Sequence, residues 1–185
     1  MVIVRPATLA DSQALAVVQT RTSQQVYRGV MPAAYLDRLD TSRRRQVWQQ
    51  LLESERHPAG TLVLDDAADG VVGFVNVAPS SDADTDPGVV GEVRAVYVLP
   101  QHWGRGAGRL LMDAGLRRLA DAGYRQVILW VLEANHRARR FYEAAGWRTD
   151  GASKTDDARG VPLTAIRYRR SLDGGSGLPA AGEAR

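Results

Sequence analysis

The chain of 185 residues has no cysteine, one lysine, two phenylalanines and no long apolar run. Without cysteine there is no thiol nucleophile, thiolate zinc site, iron–sulfur cluster or disulfide framework. The one lysine, Lys154, follows Ser153, which excludes a GxxxxGK[ST] phosphate loop, where lysine must follow glycine. No stretch approaches the ~20 apolar residues needed to cross a bilayer. The start, MVIVRPATLADS, lacks the basic segment and apolar core of a signal peptide. These absences together predict a cytoplasmic protein. His102 and His136 stand apart, with no carboxylate or second histidine at ligand spacing, so no metal site is expected.

What is present is a composition of 44% apolar and 24% charged residues, which suits one globular domain able to bury about 70% of its unfolded surface. That domain is expected over residues 1–172. Residues 173–185, DGGSGLPAAGEAR, have little to bury and predict a disordered tail. The net charge is +3, and lysine plus arginine total 24 with only Lys154 a lysine. Arginine clusters of this kind admit a nucleic-acid binder, whose binding would be salt-sensitive, but so modest a charge does not favour one.

Residues 2–5 predict a first strand ended by Pro6, and Thr8 with Asp11 resembles a capping box opening a helix to about residue 22. Helical spacing returns from Pro32 to about Glu55, with Arg43, Arg44 and Arg45 reading as a solvated face. TLVLDDAADGVVGFVNVA, 61–78, reads as two strands around a tight Asp69-Gly70 turn. After a polar loop bearing Asp82, Asp84 and Asp86 comes a strand at 91–100, then WGRGAG and an amphipathic helix ended by Gly123. VILWVL, 127–132, reads as a buried strand. Strand, helix and strand at this spacing imply a parallel pair joined by a crossover. Asn135 opens another helix closed by Gly146, Trp147 begins a short strand, and LTAIRYRR, 163–170, is the last strand. The sheet is therefore mixed.

Gly104, Gly106 and Gly108 lie between a strand end and a helix start, where unpaired N–H groups and the helix dipole attract anions. The same glycines also suit an ordinary tight turn. No GxGxxG fingerprint is present in either register, because Arg109 and Leu111 occupy the third glycine's place.

VYVLPQHWGRGAGRLLM, followed by NHRARRFYEAAGW, resembles the two central motifs of the GNAT superfamily of N-acetyltransferases. The resemblance is strongest over 91–147 and extends by layout over about 2–170. It implies a mixed, mostly antiparallel six- to seven-stranded sheet flanked by helices. It implies also that acetyl-CoA lies where two parallel strands splay apart. The pantetheine arm would then run along Val96, Tyr97 and Val98, and Gly104, Arg105, Gly106, Ala107, Gly108 and Arg109 would hold the pyrophosphate. Trp103 departs from the Gln or Arg usual at its loop position.

For catalysis the resemblance implies Glu92 as general base and Tyr142 as the acid that protonates the leaving thiolate. Each has a plainer alternative. Glu92 and Arg94, charged in a strand expected to be covered on both faces, can be a structural ion pair; Tyr142 can be a core aromatic. Asn135 suits both a helix N-cap and a bond to the pantetheine arm, while Arg137, Arg139 or Arg140 would reach the phosphate end or merely solvate their helix. The implied reaction is direct transfer from acetyl-CoA to a primary amine, a small molecule or a protein amine, with the oxyanion met by the amide of Val98 or Tyr97. Tyr27, Tyr35, Asp150, Asp156 and Asp157 are candidate contacts for a cationic acceptor. A homodimer is compatible with this pattern; nucleic acid and membrane are not expected partners. The same cofactor features would also serve a sensor or scaffold that binds acetyl-CoA without turnover.

Overall fold

A computed structural model describes residues 1–157 and 161–172, with the side chain of Asp156 excepted. The expected tail at 173–185 therefore lies outside the described residues. β1 (Val2–Pro6) leads through a short 3-10 turn into α1 (Ser12–Val26), followed by α2 (Ala33–Asp37) and α3 (Thr41–Ser54). β2 (Gly60–Asp66), β3 (Gly70–Pro79) and β4 (Val90–Val98) form the first half of the sheet. α4 (Ala107–Asp121), β5 (Gln126–Leu132), α5 (His136–Ala144), β6 (Arg148–Asp156) and β7 (Leu163–Ser171) complete the chain. The seven strands run in the order β1-β2-β3-β4-β5-β7-β6. All neighbours are antiparallel except β4 and β5.

Local chemistry accounts for most of the boundaries. Asp11 accepts from the Thr8 amide at 2.7 Å, the expected cap, and also takes a forked ion pair from Arg5 at 2.8 and 2.9 Å. The Arg5 hydrogen bonds, against the opposing effect of burial, hold the Asp11 carboxyl down to about 2. The helix this opens runs to Val26, four residues beyond the expected end. The span expected to be helical from Pro32 to Glu55 is divided, because Asp40 accepts from Ser42 N at 2.7 Å and starts a new helix. The strand after Trp147 is longer than expected, nine residues, with an irregularity between Thr149 and Ser153.

The core forms on both faces of β3. Phe74 meets Trp48 of α3 edge-on at 4.9 Å. Its neighbours Val75 and Val77 face α4 instead, where a Cβ on Gly115 would come within 3.1 Å of either side chain. Glycine at mid-helix is the condition for that close approach.

Candidate active site

β4 and β5 pair in parallel only at Val90, Gly91 and Glu92 with Gln126, Val127 and Ile128. Beyond that point β4 continues against β3 alone and β5 against β7 alone. The bulge on β4 marks the place of divergence. Asn76 pairs with Ala95 and Val77 with Val93, so Arg94 is an extra residue in the ladder, and such a residue bends its strand and sharpens the twist. The facing edges of Val93–Val98 and Leu129–Leu132 are left without a strand partner. Between them lies a cleft of about 550 Å³.

The cleft ends at the glycine loop. Gly104 and Gly106 have φ of +74° and +82°, a region in which other residues are strained. Gly106 is the residue before α4, so the first amides of that helix face the cleft end without intrahelical partners. Gly108 is already helical, and a Cβ there would only touch the Phe141 ring at 3.5 Å. Two of the three glycines are thus required by backbone conformation, and the third is not.

Val96, Tyr97, Val98, Trp103, Gly104, Gly106, Ala107, Gly108, Arg109, Asn135 and Tyr142 all line this cleft. Asn135 caps α5 by accepting from Ala138 N at 3.1 Å, so the plainer of its two roles is met. Trp103 is tied to the end of β4, since its indole N–H donates to the Val98 carbonyl at 2.7 Å, where Thr22 Oγ1 also donates at 3.1 Å. The Arg137 guanidinium lies 4.3 Å from the centre of the Trp103 ring. Tyr142 is buried, its hydroxyl has no hydrogen-bond partner among the described residues, and burial, aided by Tyr97, raises its pKa.

Arg139, Arg105 and Glu92 are outside the cleft wall. Arg139 is turned away because its guanidinium donates to Tyr168 Oη at 3.3 Å and to the Glu133 carbonyl at 3.1 Å; Arg137, another of the three arginines weighed, lines the cleft. Glu92 sits in the last parallel pair, immediately before the opening. Its carboxylate is 3.7 Å from Arg94 Nε and accepts a 3.4 Å bond from Ser81 Oγ, so the ion pair foreseen as the alternative is formed. The expectation that both charges suffer burial holds for Glu92 alone, since the bulge turns the Arg94 side chain outward to 42% exposure.

An arginine of β7 gathers the aspartates of the polar loop before β4. Arg167 of β7, almost fully buried, donates to Asp82 at 2.9 Å, to both oxygens of Asp84 at 2.7 Å and to Asp150 at 2.8 Å. Asp82 also accepts from Trp130 Nε1 at 2.9 Å, and Trp130 is part of the cleft wall. Asp150 is thereby committed to Arg167 and Arg169 rather than to an acceptor. The side chain of Asp156, another acceptor candidate, lies outside the described residues, and Asp157 is exposed.

Residues 24–147 match the family model described as Acetyltransferase (GNAT) family. The chain belongs to the GNAT family. As a member it is an acyltransferase whose donor is acetyl-CoA. Among curated relatives, the uncharacterized N-acetyltransferase YuaI of Bacillus subtilis is 30% identical over 135 residues, 73% of this chain and 74% of that protein. A mycothiol acetyltransferase from Thermobispora bispora is 42% identical over 96 residues, 50% of this chain but only 32% of that protein. Among solved structures, a GCN5-related N-acetyltransferase from Kribbella flavida superposes with TM-score 0.69 at 23% identity, covering 92% of this chain and 97% of that one. The PaiA N-acetyltransferase of Thermoplasma acidophilum, in complex with coenzyme A, has TM-score 0.65 at 15% identity over 92% and 99% of the two chains. These last two likenesses establish the fold. The residues present suit the donor: two open strand edges offer hydrogen bonds to an amide-bearing arm, and a glycine-bounded helix start offers amides to a pyrophosphate.

Proposed function

We propose that this GNAT protein is a cytoplasmic N-acetyltransferase that moves the acetyl group of acetyl-CoA directly to a primary amine, with both substrates bound together. The observation that carries the reading is the gap between β4 and β5. Backbone N–H and C=O groups seldom stay unpaired when buried, so two facing, unladdered edges call for an extended ligand with amides of its own. The donor supplies a thioester carbonyl activated toward nucleophiles, and the chain's residues do the rest.

An ammonium has no lone pair, so the acceptor must lose a proton before it attacks. No Asp or Glu lines the cleft among the described residues. Glu92, beside the cleft-wall residue Arg94, receives that proton through water. The amide of Val98 or Tyr97 meets the developing oxyanion, a fixed dipole worth a few kcal/mol in such a site. As the new C–N bond forms and the C–S bond breaks, the Tyr142 hydroxyl protonates the sulfur. Burial keeps the hydroxyl in the protonated form it must have to donate and also makes it a weaker acid, so its help to the sulfur is modest. Arg137, stacked on Trp103 beside the glycine loop, and Arg109 on the first turn of α4 supply charge for the phosphates.

The test is release of free CoA thiol across a panel of amines, run beside thermal melting with acetyl-CoA. Melting should rise by about 5–10 °C at ~100 times the dissociation constant, the equivalent of about 2.7 kcal/mol in a domain of this size. Thiol release should depend on an amine. A rise in melting without amine-dependent release would identify a binding protein instead of an enzyme.

A further inference from the structure

A second cavity of about 190 Å³ shares Tyr27, Tyr97 and Leu132 with the main cleft. It lies among α1, α2, α3 and the parted strands, and no Asp or Glu lines it. Met31, Tyr35, Leu36 and Leu39 form an apolar and aromatic side, and Gln19 and Ser23 add neutral polar groups. Into this setting α3 projects Arg44, whose Nη1 is buried without a hydrogen-bond partner among the described residues. The neighbouring amide does not supply one. The Gln19 side-chain oxygen accepts from Trp48 Nε1 at 3.1 Å and not from Arg44 Nη1. An unsatisfied buried guanidinium N–H is costly, and guanidinium groups are matched in geometry and charge by carboxylates.

We propose that this cavity is the acceptor subsite and that Arg44 binds the carboxylate of a small amino acid with an apolar side chain. The inference rests on the acetyltransferase reading of the main cleft and narrows its acceptor. It replaces the expectation of a carboxylate-lined site for a cationic amine: Tyr27 and Tyr35 are present, but the charge that faces the acceptor is positive. The carboxylate pairs with Arg44, the apolar side chain packs against Met31 and Leu36, and the α-amine is left toward Tyr97 and the thioester. The α-ammonium loses two protons, one to Glu92 through water before attack and one as the amide forms, balanced by the proton that Tyr142 gives to sulfur; the C–N bond of the N-acetyl amino acid forms, the C–S bond breaks, and CoA leaves as the thiol.

The experiment compares L-leucine, L-leucinamide and 3-methylbutan-1-amine as acceptors for the intact protein and for Arg44→Gln and Arg44→Lys. The three probes share a side chain and an amine, and only the first has a carboxylate. Leucine should be preferred in kcat/KM by about 10- to 150-fold, the range for a hydrogen bond to a charged group. R44Q should abolish the preference through KM for leucine, R44K should restore part of it, and the rise in melting on adding acetyl-CoA should be the same in all three proteins. Equal use of the three probes by the intact protein, or a preference that survives R44Q, overturns the assignment while leaving the acetyltransferase reading intact. If no amine is acetylated, that reading fails and the subsite is judged by binding. A leucine-dependent rise in melting with CoA present, absent for leucinamide and in R44Q, supports it, and no such rise overturns it.

Discussion

At the scale of single residues, the two catalytic assignments predict different signatures. Tyr142→Phe removes a hydroxyl that has no protein partner among the described residues while keeping a buried ring packed near Trp147 and Tyr168. Melting should hardly change, and kcat should fall about 10- to 100-fold. A thiol leaving group with an ordinary pKa near ~8.5 needs only modest acid help, so activity persists. Glu92→Gln keeps the shape of the side chain and removes its proton affinity. It should lower kcat about 100-fold near neutrality, with the KM for acetyl-CoA unchanged. An unchanged kcat would leave Glu92 as the partner of Arg94 alone. Tyr142 was legible in the sequence because it stands within a recognisable motif pair, and Glu92 because it is a charge in a strand expected to be covered, shortly before the first of those motifs. Which arginine serves the cleft was not: 137 and 139 differ by two positions on one short helix, and the pairing of Arg139 with Tyr168 of a distant strand decides between them.

At the scale of elements, the glycine loop separates conformational need from sequence pattern. Gly106→Ala places a Cβ on a residue at φ +82°, a strain of about 1–2 kcal/mol. The loop should relax away from the conformation that presents its amides. The expected result is a KM for acetyl-CoA raised about 5- to 30-fold with kcat nearly kept. Gly108→Ala meets only ordinary contact with Phe141 and gains helix propensity, so its kinetics should match the parent; initial rates over a range of acetyl-CoA concentrations test both. A run of alternating glycines in the sequence cannot distinguish these positions. The first helical residue of α4 does, because left-handed φ is required up to Gly106 and ceases with Ala107.

At the scale of the whole molecule, the sheet is two halves, β1 to β4 and β5-β7-β6, joined directly by three parallel residue pairs. Arg167 strengthens the union by fastening the loop between β3 and β4 onto β5, β6 and β7. Arg167→Gln leaves the Asp82, Asp84 and Asp150 carboxylates close together without their shared cation. It should cost about 3 kcal/mol, the low end for breaking a buried pair because Asp84 faces water, or about 6–12 °C in melting temperature. The pH dependence has a definite sign. The Arg167 hydrogen bonds hold Asp84 below the usual carboxylate range, and at Asp150 the Ala152 amide and Arg167 outweigh the opposing effect of burial. Groups depressed in the folded state stabilise it above their unfolded pKa and cease to do so as pH falls. The gap between parent and variant should therefore be widest near neutrality and narrow below about pH 4, as read by melting across a pH series.

By itself the sequence determined the parts whose causes are local. Caps at Thr8 and Asn135, the tight hairpin of β2 and β3, the glycine-bounded start of the helix after Trp103 and the strand–helix–strand order all follow from dihedral preference, hydrogen bonding between near neighbours and apolar period. That order in turn brought the parallel pair and the mixed sheet. Only the tertiary structure decided where the two parallel strands part, which way Arg94 turns once it becomes the extra residue of a bulge, and that Arg167 gathers three aspartates. It also selected Arg44 from a run of three arginines that reads as a solvated face. Burial and pairing of a charge depend on what other elements bring to it across tens of residues, and no property of the charged residue or its immediate neighbours records that.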